Sequence, residues 1–129
     1  MLKNDSKKED IVKKIFSIIK ENYKEFVFKH DGGRIIQGCI KYGNTEQRAL
    51  LINQLKDLVA DSAMKKYSIY LSIKIWKYAD PIQREQILKL VLKKLTFLIK
   101  SPSGEMFLNY MISNCSSSQK EQLVDEYLK

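Results

Sequence analysis

Gly33, Arg34, Gln37 and Lys41 stand at i, i+1, i+4 and i+8 in the segment KHDGGRIIQGCIKYG. On a helix this spacing gathers them on one polar face, opposite Ile35, Ile36, Cys39 and Ile40. Such side chains suit binding better than bond-breaking. The adjacent pair His30 and Asp31 is the nearest thing to an acid–base couple, and no nucleophile or third member is spaced to complete it. Gly32-Gly33 falls well short of a phosphate-cradling loop. His30 is the sole histidine, with no partners at metal-ligand spacing. Cys39 and Cys115 share no spacing motif and read as reduced intracellular thiols, Cys39 packed in the core. The expectation is a non-enzyme without cofactor or metal.

Charge points to the partner class. The 129-residue chain carries a net +8, with a pI near 9.4. The excess is uneven: residues 65–100 hold 9 basic and 2 acidic side chains, whereas residues 101–129 hold 2 basic and 4 acidic. A compact basic domain favours a polyanion; a solvated lysine-rich surface is the alternative. The polar start MLKNDSKKED lacks a signal-peptide pattern. No apolar run reaches the roughly 18 residues of a membrane span. An intracellular protein with no membrane partner is expected.

These side chains must be positioned by helices. Ser6 and Glu9 form a capping-box pattern before Ile11, Ile15, Ile18 and Ile19, which predicts an amphipathic helix over residues 6–20. Downstream, an offset of 36 residues aligns Asn44, Asp80 and Ser116 as N-caps, with Gln47, Gln83 and Gln119 at N3. Pro81 follows Asp80 at N1, where a missing N–H costs nothing. Behind the caps, Leu51, Ile87 and Leu123 share a register, as do Ile52, Leu88 and Val124. Ahead of them Ile35, Leu71 and Phe107 match, as do Cys39, Ile75 and Met111, and Ile40, Trp76 and Ile112. All are expected to be buried. Shorter helices are predicted near Tyr23–Phe28, Asp57–Lys65 and Lys93–Lys100. Three helices per period imply an all-α, right-handed solenoid. Its expected parts are an N-terminal capping helix at 1–22, units at 23–58 and 59–94, and a degenerate unit at 95–129.

The segments HDGGRIIQGCIKYGNTEQR and KKYSIYLSIKIWKYADPIQRE resemble Pumilio (PUF) repeats, most closely in the first unit and least in the third. KHDGGRIIQGCIKYG is most similar to the nucleolar Puf-A-type branch. The resemblance implies that the middle helices line a concave RNA-binding surface, two side chains per unit meeting a base edge and a third stacking. By position the edge pairs are Gly33 with Gln37, Ile69 with Ile73, and Glu105 with Asn109. The stacking residues are Arg34, Tyr70 and Met106. Gly33, Ile69 and Ile73 offer no side-chain hydrogen bond, so the implied reader relies on stacking and charge. The expected RNA-binding residues are Lys29, His30, Arg34, Gln37, Lys41, Lys65, Lys66, Tyr70, Lys74 and Lys77.

The implied partners are pre-rRNA or rRNA, with ribosomal or assembly proteins beside them. The implied location is the nucleolus or nucleus, with the cytoplasm as the alternative. Two competing functions are a sequence-specific regulator of mRNA 3′ untranslated regions and an α-solenoid scaffold for proteins.

Overall fold

A computed structural model describes Asp10, Ile11, Lys13, Lys14, Ile15, Ser17, Ile18, Glu25 and residues 29–129, the side chains of His30 and Asp31 excepted. The described residues among 10–18 are helical, and Ile15 packs against the core. The rest of the predicted N-terminal helix, and all but Glu25 of the short helix expected at Tyr23–Phe28, lie outside the described residues.

The described residues contain helices and no strand. In order they are α1 (His30–Tyr42), α2 (Thr45–Leu55), a 3-10 turn (Lys56–Leu58), α3 (Val59–Ala63), α4 (Ile69–Tyr78), α5 (Pro81–Lys93), α6 (Leu95–Lys100), α7 (Pro102–Ser113) and α8 (Ser117–Leu128). The 36-residue register sorts them into stacked layers. The middle helices α1, α4 and α7 pack in a row, and α5 meets α8 in a second row. This is an all-α solenoid.

The caps form as the sequence demands. Asn44 Oδ1 accepts from the Gln47 amide at 2.8 Å, while the Gln47 side chain accepts from the Asn44 amide at 3.1 Å. The same reciprocal pair recurs between Asp80 and Gln83 at 2.7 and 3.0 Å, and between Ser116 and Gln119 at 3.2 and 2.9 Å. Each box satisfies two backbone donors that a helix start would otherwise leave open.

Two of these glutamines also join layers. Gln83 Nε2 donates back to the Ala49 carbonyl and to Asn53 Oδ1, each at 3.0 Å. Gln119 Nε2 reaches Glu85 at 3.2 Å. Arginines one residue further along brace the preceding middle helix. Arg48 Nε donates to the Ile40 carbonyl at 2.7 Å, and Arg84 Nε to the Trp76 carbonyl at 3.1 Å. Each thereby satisfies an end carbonyl of α1 or α4.

The core runs through the layers. Ile36, Ile40, Leu51, Ile52, Trp76, Ile87, Leu88 and Phe107 are fully buried, and Cys39 is buried as expected. Trp76 also donates its indole N–H to the Asn114 carbonyl at 3.1 Å, so its polar edge is satisfied across the layer boundary. Gly104 is dictated by space, because a Cβ there would run into the Leu98 carbonyl. One period earlier Ser68 meets the equivalent carbonyl with its hydroxyl, donating to Ser62 at 2.8 Å.

Three residues expected in the core are exposed: Ile35 at 44%, Ile112 at 42% and Val124 at 53%. Their partners one period away lie between two layers. These three stand in the first and last layers.

Candidate nucleic-acid interface

The middle helices α1 and α4 carry most of the expected binding residues. Arg34 and Lys41 are exposed on α1, and Gln37 is half-buried between them. On α4 Tyr70 is 53% exposed, Lys77 is exposed and Lys74 is half-buried. Lys29 is exposed just before α1, and Lys65 and Lys66 are exposed just before α4. The His30 side chain lies outside the described residues.

Two of the expected base-edge positions are withdrawn from solvent. Ile69 is 1% exposed and Gly33 is buried. Ile69 opens α4 and Gly33 closes the first turn of α1, and there each backbone is already turned into the layer. Ile73 is half-buried against the core. The polar face assigned from helical spacing is therefore narrower than expected. It comprises Arg34, Gln37 and Lys41 on α1, and Tyr70 and Lys77 on α4. On α7 the equivalent exposed residues are Glu105, Met106, Asn109 and Ser113, with no base among them.

Tyr42 and Tyr78 join this face beyond the residues expected from the sequence. Lys41 Nζ lies 5.2 Å from the Tyr42 ring centre, and Lys77 Nζ lies 5.4 Å from that of Tyr78. Arg48 stacks on Tyr78 from the preceding layer at 4.4 Å. A cation over an aromatic ring is thus repeated at the ends of α1 and α4. Lys41 and Lys77 also occupy last turns, where a cation complements the helix dipole. The signal was present as the Lys-Tyr pairs of IKYG and WKYA, 36 residues apart. Such ring-and-cation pairs can meet a base face and a phosphate together.

Among the described residues no cluster of three His, Cys, Asp or Glu could hold a metal ion. Both cysteines are free thiols. Burial pushes the Cys39 thiol above its ordinary value. Burial also raises Cys115, against the opposing pull of Lys120 and Arg84. Among the described residues no helix is long and apolar enough to cross a membrane.

Comparison with known proteins finds similarity over parts of this arrangement. The family model for the Pumilio-family RNA binding repeat matches residues 32–56 and 107–126. The matched stretches are the first and last layers, so the last lies nearer the family pattern than the expected ordering had it. Pumilio homology domain family member 6 of Schizosaccharomyces pombe is 38% identical over 71 residues, covering 55% of this chain and 11% of the relative. Human Pumilio homolog 3 is 25% identical over 122 residues, covering 95% of this chain and 19% of the relative. The Saccharomyces cerevisiae member 6 is 29% identical over 68 residues, or 53% of this chain and 10% of the relative. The chain thus spans a small part of the length of these relatives. No solved structure matches it. Over those two stretches the chain is similar to the Pumilio-family RNA binding repeat.

Proposed function

We propose that this protein binds RNA through the exposed face of α1 and α4, with little selectivity for base sequence. The layers are read as PUF-like units at 23–58, 59–94 and 95–129 behind a capping segment at 1–22. One observation carries the reading. Two of the positions that would question a base edge hold a buried glycine and a buried isoleucine, while the stacking side chains Arg34 and Tyr70 stay exposed. Stacking and phosphate pairing then supply the affinity, through Arg34, Tyr70, Lys29, Lys41, Lys65, Lys66 and Lys77, with Gln37 and Lys74 at the margin. His30 joins this set by its place in the sequence.

The similarity of KHDGGRIIQGCIKYG to the Puf-A branch supports a setting in ribosome assembly. Pre-rRNA or rRNA would be the ligand, assembly proteins the neighbours, and the nucleolus the place. The buried Ile69 weighs against a sequence-specific regulator of mRNA.

A salt titration with single-stranded and structured RNA tests this. The logarithm of affinity should fall linearly with that of salt, by about 0.7 per phosphate contact on single strands. Several unrelated sequences should bind within a few-fold of one another. Absence of RNA binding at low salt would overturn the proposal. A sharp consensus from selection would transfer the reading to the mRNA regulator.

A further inference from the structure

The second layer gains an aromatic ring where it loses its base-edge groups. Ile69 is buried and Ile73 half-buried, and neither side chain can donate or accept a hydrogen bond. Helix α4 packs against α1 on one side and α7 on the other, so its outward face is fixed by packing on both sides.

Tyr67 and Tyr70 stand at the start of α4, 55% and 53% exposed. The backbone that joins them already turns as a helix. The Ile69 amide donates to the Lys65 carbonyl at 3.1 Å, and the Ser72 amide to that of Ser68 at 3.3 Å. Residues three apart on such a turn are neighbours, with about 5–6 Å between Cβ atoms. Ser68 and Ile69 between them are buried, and Ser68 pins the turn by donating its hydroxyl to the Ser62 carbonyl at 2.8 Å. With that pair held inward, both rings are left outward. Lys66 Nζ lies 5.6 Å from the Tyr67 ring centre, and Lys74 follows Tyr70 by one turn. The doubled ring is particular to this layer: the positions matching Tyr67 hold Asp31 and Ser103.

Two rings read a base differently from a hydrogen-bonding side chain. Stacking grows with the π-face and apolar area covered, so a purine gains more than a pyrimidine. Amino and keto groups on the base edge matter little to it, and Ile73 adds no bond that would tell them apart. Resting on the RNA-binding reading proposed above, we infer that Tyr67 joins Tyr70 in holding one unpaired base over α4, and that the pair prefers a purine there by stacking area alone.

Fluorescence anisotropy of the full chain at low salt tests this. The probes are a short oligouridine and its copies with one central cytidine, adenosine or unsubstituted purine riboside. The adenosine and purine riboside probes should bind alike, and about threefold to fivefold tighter than the other two. Tyr67→Ala should erase that ratio while oligouridine still binds through the lysines. Tyr67→Phe should keep the ratio, and Arg34→Ala should weaken all four probes together without changing it. Circular dichroism checks that each variant is folded, and Tyr67→Leu replaces Tyr67→Ala if that variant is not. Four probes bound alike by the wild type would overturn the inference and leave the RNA reading standing. So would a preference that survives Tyr67→Ala, or one for adenosine that purine riboside lacks, the mark of a base edge being read. Failure of every probe to bind would overturn the RNA reading and this inference with it.

Discussion

Helices α1 and α4 occupy the same place in successive layers and present different surfaces. On α1 a guanidinium, an amide and an ammonium face outward, with a small thiol at the core position Cys39. On α4 the same three positions hold Tyr70, the apolar half-buried Ile73 and Lys77, and the core positions are the larger Ile75 and Trp76. What the two helices share is at their ends: an N3 glutamine box starting the next helix, an arginine bracing the last carbonyls, and a lysine beside a tyrosine ring. The comparison teaches that the ends hold the register, while the outward middle is free to drift from polar to apolar.

Substitutions at paired positions can break or sharpen this contrast. The largest effect belongs to the core. Trp76→Ala should destabilise by about 3–5 kcal/mol, toward the upper end because the bond to Asn114 also goes, and Ile40→Ala by about 2–5 kcal/mol. Urea unfolding of the two variants should therefore rank α4 as the more costly site. Equal losses would mean that the indole tether between layers contributes nothing.

Next come the outward residues. Arg34→Ala and Tyr70→Ala should each weaken RNA binding by about 1–3 kcal/mol, roughly 5- to 150-fold. They should differ in kind. Removing Arg34 lowers the salt slope, since a cation leaves, and removing Tyr70 leaves that slope intact. Identical slopes in both variants would erase the chemical distinction between the helices.

The shared ends should respond alike. Asn44→Ala and Asp80→Ala should each cost about 1 kcal/mol, measured by thermal or urea unfolding. A loss at one site only would show that the boxes do not hold the register equally.

The smallest effect is a pH dependence confined to α1. Burial raises the Cys39 thiol above its ordinary 9.0, so the folded chain keeps that proton where the unfolded chain gives it up. The resulting stability is present below pH 9.0 and is lost as pH climbs from there through the raised folded value. Unfolding measured across that window should show Cys39→Ala with a shallower alkaline decline. Ile75, at the same place in α4, brings nothing to titrate.

Much of this was legible because it is local. Each capping box is written within four residues, so caps and N3 glutamines came directly from the sequence. The burial of Trp76 followed from its shared register with Ile40. The braces made by Arg48 and Arg84 escaped notice because each reaches eight residues back, across a turn whose path the sequence does not spell out. Ile69 was misplaced because helical spacing names a face without saying how far into the first turn the next layer reaches. Ile35, Ile112 and Val124 were misplaced for another reason. A register says which residues would be covered and is silent on whether a neighbour stands there to cover them.

Several joints between layers end on main-chain acceptors. Gln83 takes the Ala49 carbonyl, Trp76 and Arg84 take that of Asn114, and Ser101 takes that of Met64. A carbonyl is supplied by any residue type. A layer of this kind makes few demands on the identity of its neighbour's side chains at those points, and layers of differing sequence become interchangeable parts. A chimera in which the segment from α3 to α5 is replaced by another three-helix unit of equal length should keep its joints, so long as it brings the glutamine and the arginine with it.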